Sequence, residues 1–175
     1  MVAAPSNLSN HSNVVCWSDT GKRLINVGGF INHNINTLDN IFDVDQVNVV
    51  VDLMTPTEHT RYGNLAHHLG PYPHVKLISF PIVSKKVPCL EDLNVMLEDL
   101  VQGIITDRYR VYIQSVYGCG RSNMVASFLL SRLTGIKDPN YILVAIRDRF
   151  ATRLSSPKKK FLDSKMIIDF ISNNL

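Results

Sequence analysis

Residues 110–122 read Arg-Val-Tyr-Ile-Gln-Ser-Val-Tyr-Gly-Cys-Gly-Arg-Ser, and our prediction of the fold starts from this segment. Its apolar start predicts a β-strand over Arg110–Gln114, and the sequence that follows predicts a helix over Asn123–Leu133. Gly118 and Gly120 lie between the two elements and allow the backbone to curl, because glycine accepts positive φ angles. A glycine-bearing loop between a strand and a helix can point successive N–H groups inward, so the stretch predicts an anion-binding cradle.

Two polar side chains of this loop favour an anionic ligand. Arg121 carries a planar guanidinium that can bind two phosphate oxygens at once. Ser122 is predicted at the N-cap of the helix, whose dipole adds partial positive charge to the loop. The loop therefore predicts a site for a dianion such as phosphate. A tight strand–helix turn with a surface arginine is the alternative that this motif leaves open.

The rest of the chain predicts an α/β fold. Strands are predicted at Val47–Leu53 and Val75–Pro81, and a hairpin-like start at Trp17–Phe30 with its turn at Asp19–Lys22. Helices are predicted over Thr37–Asp43, Pro56–Gly63, Leu90–Ile105, Pro139–Phe150 and Lys159–Asn173. Since strands and helices alternate, we predict a central, largely parallel sheet flanked by helices, with the phosphate loop between a strand and a helix.

Length and composition bound the class of protein. With 175 residues, 45% hydrophobic and 19% charged, the chain fits one globular domain, predicted over residues 14–175 after a polar tail at 1–13. No apolar run reaches about 18 residues, so we expect no membrane span. The tail lacks the pattern of a signal peptide, and three cysteines show no metal-type spacing, so we expect a cytoplasmic or nuclear location.

Charge is distributed unevenly along the chain. Residues 1–100 have a net charge of −4, whereas residues 101–175 have a net charge of +7. Because the basic part contains the glycine loop, an anionic partner is plausible there. The run Lys158–Lys160 either extends that surface or is a solvated face. The histidines His67, His68 and His74 lack metal spacing, and we expect neither a metal nor a cofactor.

The loop resembles the signature of the cysteine-based tyrosine and dual-specificity phosphatases, which reads His-Cys, five residues, Arg, then Ser or Thr. The resemblance extends over about residues 22–172. It includes Val49–Leu53 as a strand that Glu58 and Tyr62 follow, as the family's Glu and Tyr often do. It also includes Ile78–Ile82 as the strand that enters the general-acid loop, Val87, Pro88 and Leu90–Leu93 as the exit of that loop, and Arg147 and Phe161 in the closing helices. The resemblance implies that the phosphate-binding residues are Ser115, Val116, Tyr117, Gly118, Cys119, Gly120, Arg121 and Ser122.

Three departures from the family pattern affect catalysis. Ser115 stands where the family has its nucleophilic Cys, and a serine hydroxyl has no accessible anion near neutral pH. Gln114 replaces the His that supports the loop. The family's acidic residue is missing near Ser84, while Glu91 and Asp92 come too late in the sequence to replace it. Cys119 lies inside the loop, but on the wall of the cradle, where in-line attack on phosphate is not expected.

These features favour a catalytically impaired phosphatase-like protein, a pseudophosphatase, that binds phosphorylated protein or another anionic partner through the Ser115–Arg121 loop. Inorganic phosphate or sulfate could occupy the same loop, and a nucleic-acid partner is not expected. An alternative is an active tyrosine or dual-specificity phosphatase whose Cys has been changed to Ser115 to inactivate it. A further alternative is an RNA 5′-triphosphatase, which has the same fold and works without the usual acid.

Overall fold

The computed structural model describes residues 12–18, 23–31, 35–152, 162 and 164–175. The strands are β1 (Ser12–Trp17), β2 (Arg23–Gly28), β3 (Val49–Asp52), β4 (Lys76–Ser79) and β5 (Val111–Gln114). The helices are α1 (Ile35–Asp39), α2 (Pro56–Tyr62), α3 (Leu90–Ile105), α4 (Arg121–Thr134), α5 (Pro139–Phe150) and α6 (Lys165–Asn174). A π-helical turn at Asn40–Val44 continues α1, and a 3₁₀ turn lies at Leu65–His68.

The strands of the described residues form one sheet in the order β1-β2-β5-β3-β4. All neighbouring pairs are parallel except β1 and β2, which pair antiparallel at the edge. The predicted α/β architecture with a largely parallel sheet is therefore confirmed. Strand β5 lies at the centre, and its last residue, Gln114, is in register with Asp52 of β3 and Gly28 of β2. The loop that follows β5 thus begins in the middle of the carboxyl edge of the sheet, where ligands of open α/β sheets bind.

Apolar side chains cover both faces of the sheet. In β3, Val49 and Val51 pack in the larger core cluster, which includes buried residues of α3, α4, α5 and α6, whereas Val50 packs in a smaller cluster on the other face with Phe42 and Tyr72. This alternation explains the uninterrupted β-branched run, because a parallel strand buried on both faces needs apolar residues at every position. In the part of the chain that the structure describes, no helix is long and apolar enough to cross a membrane.

Several predicted boundaries agree with the structure and others do not. The helices Leu90–Ile105 and Pro139–Phe150 are confirmed at both ends. Strands β3, β4 and β5 are shorter than predicted, since apolar residues beside a strand, such as Val47, also fill the core. The first helix lies at Ile35–Asp39 and continues as the π-helical turn rather than spanning Thr37–Asp43. The last helix begins at Lys165, and the predicted start at 159–161 lies outside the described residues.

The predicted end of the N-terminal tail and the predicted N-cap of α4 were both wrong. Strand β1 includes Ser12 and Asn13, although the tail is predicted to extend to residue 13. Both are buried against the sheet although their polar character gives no strand signal. Helix α4 begins at Arg121 with Gly120 at its N-cap, so Ser122 lies inside the first turn and is not the cap. The predicted turn at Asp19–Lys22 lies outside the described residues, but β1 and β2 do pair as a hairpin would.

Candidate phosphate-binding site

Ser115 directly follows β5 and lies at the base of the loop. Its backbone N–H donates to Gly28 O over 3.3 Å, and its Oγ accepts a hydrogen bond of 3.2 Å from Gly118 N. Its Oγ also lies 3.2 Å from Ser122 Oγ. Ser115 is almost fully buried. The loop therefore closes around the Ser115 hydroxyl, and the hydroxyl of Ser122 contacts it.

The loop conformation depends on Gly118 and on one amide side chain. Gly118 has a φ angle of +65°, in the left-handed region that favours glycine, and it packs directly on the backbone of Gly28. Asn123 Nδ2 donates to the carbonyl oxygens of Gly118 and Cys119, over 3.1 and 2.8 Å. These two bonds turn the carbonyl groups toward the start of α4. Asn123 was predicted only as a helix residue, and its role in holding the loop was missed.

Arg121 is buried in the first turn of α4, with 6% of its surface exposed. Its Nη1 donates to the carbonyl oxygens of Leu53 and Ile82, over 3.1 and 2.7 Å, and to Glu58 Oε2 over 2.7 Å. Its Nη2 donates to Glu58 Oε1 over 2.8 Å. In the described residues, the Nε–H and the second hydrogen of Nη2 have no protein partner, so they are available to an anion.

Glu58 holds Arg121 from helix α2. Thr55 and Glu58 form a capping box: Glu58 Oε2 accepts from Thr55 N over 2.9 Å, and Thr55 Oγ1 accepts from Glu58 N. Burial alone would raise the pKa of Glu58, but hydrogen bonds from Arg121 and Thr55 outweigh it and hold the pKa below its usual value. The carboxylate therefore stays ionised and fixes the plane of the guanidinium before any ligand binds.

Gln114 is fully buried at the carboxyl end of β5, beside Asp52. Its Oε1 accepts from Ile31 N over 3.4 Å, so the residue that replaces the family's His supports the segment after β2. Asp52 Oδ1 accepts from Met54 N over 3.0 Å, and its Oδ2 lies 3.4 Å from His59 Nε2. Burial raises the pKa of Asp52, and the Met54, Gln114, His59 and Arg121 groups offset part of this rise.

A small pocket of about 60 Å³ opens at the loop. It is lined by Ser84, Lys85, Ser115, Tyr117, Cys119, Gly120, Arg121 and Ile167. No aspartate, glutamate or histidine is among these residues of the described chain. The pocket thus brings together five of the eight residues that the resemblance assigned to phosphate binding, and Ser84 also lines it.

The three other predicted loop residues lie in the same loop but are not among those that line the pocket. Val116 O accepts from Phe30 N over 3.4 Å, Gly118 packs on Gly28, and Ser122 contacts Ser115. Within the lining, Tyr117 is half-exposed and its hydroxyl lies 3.4 Å from that of Tyr62. Cys119 is buried, and its Sγ donates to Tyr117 O over 3.2 Å.

The other candidate residues lie away from the pocket or outside the described part of the chain. Glu91 and Asp92 are exposed in the first turn of α3 and do not line the pocket. Lys158–Lys160 and Phe161 lie outside the described residues. His67 and His68 lie in the 3₁₀ turn. Within the described ranges, no group of three or more His, Cys, Asp or Glu side chains is arranged to hold a metal ion.

Solved structures share the fold of this chain. The structure resembles kinase associated phosphatase, in a form whose catalytic-site cysteine is replaced by serine, with a TM-score of 0.72, 16% identity and coverage of 92% of this chain and 90% of that chain. It also matches PTP-2 phosphatase of Cydia pomonella, with a TM-score of 0.66, 15% identity and coverage of 94% and 90%. The chain has the fold of the tyrosine and dual-specificity phosphatases.

A third match is the human tyrosine phosphatase-like serine/threonine/tyrosine-interacting protein, with a TM-score of 0.61, 8% identity and coverage of 85% of this chain and 89% of that chain. No protein-family model matches the sequence, and no curated protein matches it either. At these identities the matches show the phosphatase fold, and the chemistry must be argued from the site itself.

The sequence contains signals for two further residues of the site, Glu58 and Lys85, that were not used to predict it. Thr55-Pro56-Thr57-Glu58 is a capping-box motif, which predicts the start of α2, although nothing local indicates that Glu58 also reaches Arg121, 63 positions away. Lys85 follows Ser84 in the loop that the resemblance assigns to the general acid. The resemblance could therefore have predicted that Lys85 lies at the pocket.

Proposed function

We propose that this protein is a catalytically impaired phosphatase-like protein that binds phosphorylated protein or peptide, or another anionic partner, through the Ser115–Arg121 loop. One observation carries the proposal. Arg121 is buried and held in place by Glu58, with two N–H groups left for a ligand, whereas the residue at the base of the same pocket is a serine.

The chemistry of Ser115 supports impairment. A serine hydroxyl becomes a good nucleophile when a neighbouring base removes its proton. Among the described residues, the hydrogen-bond partners of Ser115 Oγ are the backbone N–H of Gly118 and the hydroxyl of Ser122, and neither group is a base. The cradle would therefore hold a phosphate ester without forming a phosphoenzyme.

None of the described residues that line the pocket is an aspartate, a glutamate or a histidine. Ser84 and Lys85 line the side on which the resemblance places the acid loop. A serine hydroxyl is too weak an acid for general-acid catalysis at neutral pH, so Ser84 does not replace the aspartate of the family pattern. With serines at the positions of the family's nucleophile and acid, the groups that remain are those that bind phosphate.

The binding part is preorganised. The N-terminus of α4 contributes backbone N–H groups and dipole, and Arg121 contributes a charged planar donor whose orientation is fixed before binding. A ligand therefore does not have to bear the entropic cost of ordering this side chain. Inorganic phosphate and sulfate are expected to compete for the same cradle.

Binding to Arg121 is the direct test. We expect a phosphotyrosyl or phosphoseryl peptide to bind, with inorganic phosphate as competitor, and its unphosphorylated form not to bind, by titration calorimetry. Arg121→Lys should weaken the phosphopeptide by at least about tenfold, because lysine cannot reproduce the planar fork. Arg132→Lys is the matched control, since Arg132 lies on the same helix, is exposed, and its Nη2 donates to Asn94 Oδ1 rather than lining the pocket. Equal binding of the two peptides would refute the proposal.

A further inference from the structure

We propose that Lys85 makes the cradle select phosphopeptides with an acidic side chain beside the phosphorylated residue. This inference rests on the proposed function and names the ligand class that the same pocket prefers. We base the proposal on the position of Lys85 in a hydrogen-bonded turn and on the positive charge that Lys85 places at the pocket.

The turn that carries Lys85 is anchored to the site at its base. Ile82 is buried, its N–H donates to Leu53 O over 3.1 Å, and its carbonyl accepts from Arg121 Nη1 over 2.7 Å. Three residues later the chain turns, with Lys86 N donating to Val83 O over 2.9 Å. The position of Lys85 relative to Arg121 is therefore set by one short, hydrogen-bonded turn.

Lys85 has an unusual backbone conformation for its residue type. Its φ angle is +62°, in the left-handed region that lysine rarely adopts. In this conformation it is one of the residues that line the pocket with Ser115 and Arg121, whereas its neighbour Lys86 does not. The two adjacent lysines have the same charge and are both exposed, but only Lys85 lines the pocket.

Among the described residues, the positive charge of Lys85 has no paired carboxylate at the pocket. The charge of Arg121 is matched by Glu58, which contacts both of its terminal nitrogens. No acidic side chain lines the pocket, and within the described ranges no carboxylate pairs with Lys85. A phosphate in the cradle contacts Arg121, so an ammonium at the rim is left for a second anionic group outside the cradle.

A peptide supplies that second group in the simplest way. An aspartate or glutamate next to the phosphorylated residue would leave the cradle with the backbone and pass the rim where Lys85 lies. Because the ammonium is exposed, its contribution is expected to be modest and sensitive to salt. Lys85 would thus act as a specificity-determining residue, while the cradle supplies most of the affinity.

The test compares two phosphopeptides that differ only in having Glu or Gln on both sides of the phosphorylated residue. By fluorescence anisotropy, the native protein and Lys86→Gln are expected to prefer the Glu peptide by about two- to fivefold in about 0.05 M salt. Lys85→Gln should bind the two peptides equally, because the charge that distinguishes them is gone. About 0.5 M salt should remove the preference of the native protein.

The outcomes separate the two proposals. If the Gln peptide binds but the native protein shows no preference, or if Lys86→Gln loses the preference as fully as Lys85→Gln, the role of Lys85 is refuted and phosphopeptide binding stands. If neither phosphopeptide binds, the proposed function fails and this inference fails with it. Unchanged melting temperatures of the two variants establish that lost preference does not reflect unfolding.

Discussion

Gly118 shows how a single residue shapes the cradle. With a φ angle of +65°, it lies where a side chain is strained, and an added Cβ would be 2.2 Å from the carbonyl carbon of Gly28 and 2.4 Å from Gly29 N. Those neighbours are backbone atoms at the end of β2, so they cannot rotate away as a side chain could. Strain and steric clash therefore act together at this position.

We expect Gly118→Ala to lower the free energy of unfolding by at least about 3 kcal/mol, because it adds a backbone clash to the strain of a left-handed alanine. Gly135→Ala is the matched control: its φ angle is +72°, but no atom lies within 4 Å of the added Cβ. Its loss should be about 1–2 kcal/mol, from strain alone. Urea denaturation measures both values, and equal losses would contradict the close approach of the loop to β2.

For single residues, the sequence predicted the loop residues that lie close together in the chain, but it did not predict contacts between distant segments. Ser115, Gly118, Gly120 and Arg121 were recognisable because their spacing within one loop carries the phosphate-binding pattern. The contact between Arg121 and Glu58 was not predictable from local rules, because it joins segments 63 positions apart. Ser122 was misplaced as the N-cap, since a glycine at position 120 can end the loop without a side-chain cap.

Helix α2 illustrates how an element can depend on polar contacts. It has no buried residue, so apolar packing contributes little to its position. Its capping box starts it, Glu58 ties it to Arg121, and His59 Nε2 lies 3.4 Å from Asp52 Oδ2. The same two ties link α2 to the first turn of α4 and to the end of β3, so the helix and the cradle should respond together to changes in charge.

We expect Glu58→Gln to cost about 1–2 kcal/mol of stability, because it removes charge-assisted hydrogen bonds from a buried guanidinium. Phosphate affinity should also fall, since Arg121 loses the group that orients it. Glu98→Gln, on the exposed face of α3, is the control. Chemical denaturation gives the stabilities, and an unchanged stability in Glu58→Gln would contradict the structural role of this ion pair.

The difference in stability between the native protein and Glu58→Gln should change with pH in one direction. The pKa of Glu58 is lowered in the folded protein from its usual 4.5, so its contribution is complete above pH 4.5 and is lost as the pH falls through the folded value. The gap between the native protein and Glu58→Gln should therefore close at acid pH.

At the scale of elements, periodicity predicted the long helices best. Leu90–Ile105 and Pro139–Phe150 were placed at both ends because each carries an apolar face and a proline or acidic start. The strand β1 was only partly anticipated, because Ser12 and Asn13 are buried by tertiary pairing that their polar side chains do not signal. The π-helical turn at Asn40–Val44 likewise has no local signature.

In the whole molecule, the order of the strands places the site. The central position of β5, between β2 and β3, brings the ends of three strands to one point under the loop, and Arg121 then reaches Leu53 and Ile82 from the neighbouring connections. The sequence predicted an α/β fold and the loop, and the resemblance named the architecture. The order of the strands and the pairing of Arg121 came only from the structure.

The measurement that tests the account most directly determines binding and turnover on one preparation of the native protein. We predict saturable binding of a phosphotyrosyl peptide that sulfate reverses, while phosphate release from the same peptide and from an aryl phosphate stays at the rate of the buffer blank. Phosphate release well above the blank that disappears in Ser115→Ala would contradict the account, because it would show that the serine at the base of the cradle acts as a nucleophile.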